Sequence, residues 1–238
     1  ALTKLNKLID DCTKSYDKYE FNGAYRALNQ FCVVDMSAAY LDIIKDRLYT
    51  SKSDSLERRA AQTVMYEILS ALVRIMAPMT SFTAEEVWKY MPHREDDNLE
   101  SVMLNYYPKV KPEYNDEALE IKWNKLIKVK ELVSKKLEVA RENKEIGTSL
   151  EAKVTLFAEG EEYRFLEDKE DLLKEIFIVS DIEINENRRN EDEEVGIGVQ
   201  VSKAEGEKCE RCWCYSTTVG MNEVHPTICA RCAKNLET

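Results

Sequence analysis

Two pairs of cysteines decide how the end of this chain can fold. Cys209-Glu-Arg-Cys212 is followed by sixteen residues and then by Cys229-Ala-Arg-Cys232. The segment 206–238 is too short to bury a core of its own. Thiolates two residues apart can converge on one ion, and four of them close a tetrahedral shell around zinc, a borderline-soft cation. The spacing predicts one structural Zn²⁺ on Cys209, Cys212, Cys229 and Cys232, with the metal supplying much of the segment's folding free energy. A second metal type and a redox cysteine pair are the alternatives. Cys214 and His225 lie close enough in sequence to reach the ion, but the paired spacing is complete without them. Four protein ligands leave no open position, so no water-activating role is expected.

The remaining composition narrows the class. Five of the seven cysteines fall between 209 and 232, while Cys12 and Cys32 stand alone. That pattern argues against a disulfide framework and for a cytosolic chain with reduced, metal-bound thiolates. No run of eighteen apolar residues occurs, so no membrane span is expected. The start, Ala1-Leu-Thr-Lys4, reads as the interior of a longer protein. The net charge of −11 is unevenly spread: residues 1–150 carry −1, 151–207 carry −11 and 208–238 carry +1. The acidic middle disfavours broad phosphate contact, whereas either flank can face a nucleic acid.

Hydrophobic periodicity divides the chain into three parts. Residues 1–145 predict an all-α antiparallel bundle of four or five helices. One long helix is expected from an Asn22 cap to about Tyr49, a second carries Val64, Ile68, Leu72, Ile75 and Met76, and Pro78 ends it. Thr83-Ala-Glu-Glu86 reads as a capping box opening a short helix. Extended connection is expected over 102–115, then a helix from about Asp116 to Asn143. Residues 146–205 change period and predict a small acidic α/β junction module. Its strands are read at 152–156, 176–184 and 195–201, its helix at 167–174, and a charged loop at 185–194. Residues 206–238 form the cysteine knuckle.

Two basic surfaces stand out. Between 122 and 144, eight Lys or Arg face three Glu, a net of +5. Lys122, Lys125, Lys128 and Arg141 are candidate phosphate contacts on that helix, whose apolar stripe is Trp123, Leu126, Ile127, Val133, Leu137 and Ala140. On the knuckle, Lys208, Arg211, Arg231 and Lys234 surround Trp213, a combination suited to phosphate contact and base stacking. A solvated face and a packing tryptophan are the competing explanations. No catalytic constellation emerges: there are two histidines, His93 and His225, and seven scattered glycines with no phosphate loop.

Gly206-Glu-Lys-Cys-Glu-Arg-Cys-Trp213 and His225-Pro-Thr-Ile-Cys-Ala-Arg-Cys232 closely resemble the C-terminal zinc segment of bacterial isoleucyl-tRNA synthetases. Leu72-Val-Arg-Ile-Met-Ala-Pro-Met-Thr-Ser-Phe-Thr-Ala-Glu-Glu-Val-Trp88 is similar to the anticodon-binding helical domain of their class I subgroup. Ile146-Gly-Thr-Ser-Leu-Glu-Ala-Lys153 resembles the junction that follows. The resemblance implies a multidomain region that binds the anticodon arm of tRNA(Ile), with the four cysteines as zinc ligands. It implies a parent ligase, monomeric and cytoplasmic, that charges tRNA(Ile) with isoleucine using ATP and edits mischarged valine. The HIGH and KMSKS signatures and an editing insertion are absent from these residues. ATP, catalysis and editing therefore belong to N-terminal domains in cis, and these residues alone are expected to be inactive. The alternative is a zinc-stapled protein-interaction or scaffold module that reads no RNA.

Overall fold

A computed structural model describes residues 1–187 and 195–236. The chain forms two compact units: Ala1–Asp42 with Leu56–Asp116, and Ile43–Ser55 with the chain from Glu117 onward.

The first unit is helical. It contains α1 (Leu2–Asp17), α2 (Phe21–Gln30), a wider π-helical run over Phe31–Tyr40, α5 (Leu56–Met76) and α6 (Ser81–Tyr90). Two further pieces continue the helical path towards residue 50, α3 (Leu41–Ile43) and α4 (Lys45–Thr50). Leu5, Leu8, Ile9 and Cys12 of α1 pack with Ala24, Leu28, Phe31, Ile68, Ala71 and Ile75 in one apolar cluster. Burial pushes the Cys12 thiol up to about 11, so it behaves as a small apolar side chain. Trp88 centres a second cluster with Val73, Ala77 and Val102, and its indole N–H donates to Asn98 O at 3.1 Å.

Local signals in this unit differ from their sequence reading. The cap before α2 is Glu20, with Asn22 inside the helix. The helix expected to run unbroken to Tyr49 widens at Phe31 and breaks at Ile44, where its residues pass into the second unit. Helix α6 begins at Ser81 behind Thr80, so Thr83 lies within its first turn and no capping box forms. Short 3₁₀ turns at Val102–Leu104 and Pro112–Tyr114 interrupt the expected extended connection.

The second unit is built on a mixed three-stranded sheet ordered β2-β1-β3. Strand β1 (Ala152–Ala158) is central, parallel to β2 (Asp181–Glu186) and antiparallel to β3 (Gly198–Lys203), with Val154 opposite Ile182 and Val201. Helices α8 (Gly160–Leu166) and α9 (Glu170–Phe177) make the crossover that a parallel pair requires. Helix α7 (Glu117–Glu142) places Leu126, Val129, Leu132, Val133, Leu137 and Ala140 in the same cluster as Val154, Leu156, Leu173 and Ile176.

That packing moves α7 from the bundle, where the sequence grouped it, to the sheet. Its apolar stripe was legible, though Val129 and Leu132 are buried where Ile127 is only partly so. Residues 176–184 are not one strand. Ile176 and Phe177 end α9, Ile178 adopts a left-handed conformation as its cap, and β2 starts at Asp181. Glu167 to Lys169 separates two helices where one was expected. Asn185 and Glu186 belong to β2 rather than to the charged loop, whose residues from 188 to 194 lie outside the described residues.

Candidate metal centre and basic surfaces

The knuckle is assembled from a two-stranded ribbon and a short helix. Strand β4 (Glu207–Lys208) pairs with β5 (Tyr215–Ser216), and the turn between them carries the first cysteine pair. Cys209 N–H donates to Cys214 O, and Trp213 N–H donates to Cys209 O, both at 2.9 Å. Gly206 permits the ribbon to close. Its φ is +87°, and a Cβ there would stand 2.2 Å from the Ser216 carbonyl carbon. The second pair sits at the start of α10 (Ala230–Lys234), with Cys229 as the cap and Cys232 inside the first turn. Glu210 N–H reaches Thr227 O at 3.1 Å and ties the two halves together.

All four sulfurs, of Cys209, Cys212, Cys229 and Cys232, lie within 4.8 Å of one another. A tetrahedral zinc with bonds of ~2.3 Å needs sulfurs about 3.8 Å apart, and Cys212 and Cys229 are 3.9 Å apart. The donor set therefore fits one closed zinc site. Cys229 N–H also points at Cys209 Sγ, at 3.3 Å, an arrangement that stabilises a thiolate. Hydrogen bonds from Cys214 and Cys232 lower the Cys212 thiol. Hydrogen bonding to Cys212 pushes Cys214 and Cys232 up. Cys214 stays outside the four-sulfur group, its thiol 3.8 Å from Cys212 O. His225 is likewise outside it.

Lys122, Lys128 and Lys234 are exposed. Lys208 is also exposed, with its ammonium 5.7 Å from the Trp213 ring. Trp213 itself is 61% exposed and held at φ +66°, so it covers none of the knuckle's small core. Lys125, Arg141, Arg211 and Arg231 have partners within their own unit. Lys125 pairs with Glu162 at 3.2 Å and lies over the Phe165 ring. Arg141 engages Glu138 and donates to Ser149 Oγ at 3.1 Å. Arg211 donates to Cys232 O at 3.3 Å. Arg231 forks onto Asp46, with Nη2 to Oδ1 at 2.9 Å. Asp46 and Thr50, whose main-chain oxygen accepts from Asn235 at 3.1 Å, are partners that sequence reasoning missed. The break after Tyr49 was the only local sign that this stretch leaves the bundle.

A helical unit followed by a sheet module and a four-thiolate knuckle is the layout of a tRNA-ligase anticodon-binding region, and this chain belongs to that family. The family described as the anticodon-binding domain of tRNA ligase matches residues 1–156. The family described as a zinc finger found in FPG and IleRS matches residues 206–235.

Its relatives are more specific. Isoleucine–tRNA ligase of Caldicellulosiruptor saccharolyticus is 51% identical over 98% of this chain and 25% of the relative. That of Caldanaerobacter subterraneus subsp. tengcongensis is 47% identical over the whole chain and 26% of the relative. That of Moorella thermoacetica is 45% identical over 98% of the chain and 26% of the relative. The chain thus spans about a quarter of the length of these curated relatives. Among the described residues, no helix is long and apolar enough to cross a membrane.

Proposed function

We propose that these residues hold the anticodon arm of tRNA(Ile) for an isoleucine–tRNA ligase. Residues 1–145 serve as the anticodon-binding part, 146–205 as a junction and 206–238 as the zinc-held end. Activation of isoleucine with ATP, transfer and editing belong to N-terminal domains on the same polypeptide, in a monomeric cytoplasmic enzyme. The observation that carries the reading is the exposed Trp213 with Lys208 beside it, on a loop that the four cysteines can make rigid. An unstacked anticodon base offers a ring to stack on the indole, and the ammonium meets the adjoining phosphate. Lys122, Lys128 and Lys234 add charge that positions the backbone without reading sequence. Zinc, when bound, supplies a fixed scaffold and no chemistry, because all four of its positions are taken by thiolates.

Titration of the 238-residue chain with tRNA(Ile), and with the same tRNA carrying a changed anticodon, tests this. The expected result is tighter binding of the unchanged tRNA and a loss of about 1–3 kcal/mol for Trp213→Ala. Equal affinity for both tRNAs, untouched by the substitution, would leave the knuckle as a stapled interaction module.

A further inference from the structure

Arg231 sits in the spacer of the second cysteine pair, where the sequence offered it as a nucleic-acid contact. In the folded chain its guanidinium grips the Asp46 carboxylate with two donors, across 185 positions of sequence. Arg231 also lies between the two ligands Cys229 and Cys232, so its guanidinium is tied by the chain itself to the four-thiolate group. A planar fork with five donors can grip a carboxylate with two of them, which a lysine ammonium does less well. Asp46 is itself fixed: the Thr50 hydroxyl, on a 3%-exposed residue, lies 2.9 Å from Asp46 O and 3.0 Å from its Oδ1. Asn235 Nδ2 donates to Thr50 O one turn further on. On the neighbouring position Arg47 pairs with Glu175 of α9, with Nε at 2.9 Å. Helix α4 has only six residues and no intrinsic stability at that length. The knuckle on one hand and α9 on the other both anchor it by polar contacts within the unit.

We propose that Asp46 is a positioning residue for the metal centre: through Arg231, in the spacer of the second cysteine pair, it latches α4 to the four-thiolate site. Occupancy of the metal site and order in residues 45–50 then depend on each other. Zinc with four thiolates carries two surplus negative charges, and a guanidinium held in the spacer between two of the ligands offsets part of them. The carboxylate keeps the guanidinium in place, as outer partners orient metal ligands elsewhere. The inference rests on the metal reading of the four thiols and is independent of RNA contact.

Hydrogen exchange of the zinc-loaded 238-residue chain, before and after chelation, tests the latch from one side. Amides of 45–50 are expected to lose protection on metal removal while those of 153–157 in β1 keep theirs. Unchanged protection at 45–50 would overturn the latch, and so would a loss that spreads equally through β1. From the other side, Asp46→Asn is expected to hold one zinc by elemental analysis yet release it to a chromogenic chelator about tenfold faster. Arg231→Lys, which keeps charge but loses the fork, is expected to fall between. Release from both variants at the wild-type rate would also sink the proposal. A wild-type chain that binds no zinc would instead remove the metal reading itself.

Discussion

The sheet module and the knuckle occupy one compact unit and are held by different physics. Nineteen buried apolar residues share the module's cluster, drawn from α7, the three strands, α8, α9 and the connections between them. The knuckle's cluster has five buried members, three of them cysteines. Burial at ~25 cal/mol per Å² can sustain the first but not the second. The module is thus a fold that a single substitution weakens by degrees. The knuckle is a fold that one missing ligand abolishes.

The largest expected effect follows from that difference. Cys232→Ser should forfeit most of a metal-binding free energy of about 10–16 kcal/mol. The β4–β5 ribbon and α10 should lose their amide protection while the far-ultraviolet signal of the helices persists. Leu156→Ala, in the fully buried centre of β1, should instead cost about 2–5 kcal/mol. It should shift the module's denaturation midpoint and leave zinc stoichiometry at one. If Leu156→Ala stripped the metal as readily as Cys232→Ser, the distinction between the two regions would fail.

Acid should separate them most finely. Protons compete with zinc for thiolates, so the knuckle should release metal as pH falls, before the carboxylate range near ~4 is reached. In the module, the Lys153 hydrogen bond at 2.7 Å holds Glu183 below its ordinary value. A lowered folded pKa means a contribution present above the unfolded value and lost as pH falls through the folded one. For a pair this exposed it amounts to less than ~0.5 kcal/mol. Zinc release followed with a chelator dye and sheet stability followed by denaturant melts should therefore diverge between neutral pH and about pH 4.

What could be read from the sequence tracks how local its cause is. The four cysteines were legible because two-residue spacing alone brings sulfurs to one ion. The stripe on α7 was legible as a period, but a period names no partner, so its burial against Val154 and Leu156 was not. Ile176, Ile178, Ile182 and Ile184 alternate like a strand, yet tertiary burial keeps Ile176 and Phe177 on α9 and turns the chain at Ile178. Thr83 and Glu86 match a capping box, but Thr80 stands at the helix start. Of the candidate site, Lys208 and Trp213 remain outward, while Arg211 and Arg231 have partners no local pattern could name.

The discontinuity of the second unit also sets a timetable. Asp46 and Thr50 are made 185 residues before Arg231 and Asn235, which hold them. At synthesis rates of about 5–20 residues per second, that interval is roughly ten to forty seconds. Throughout it, α4 has no knuckle to rest on, and the latch can close only after the last cysteine has left the ribosome.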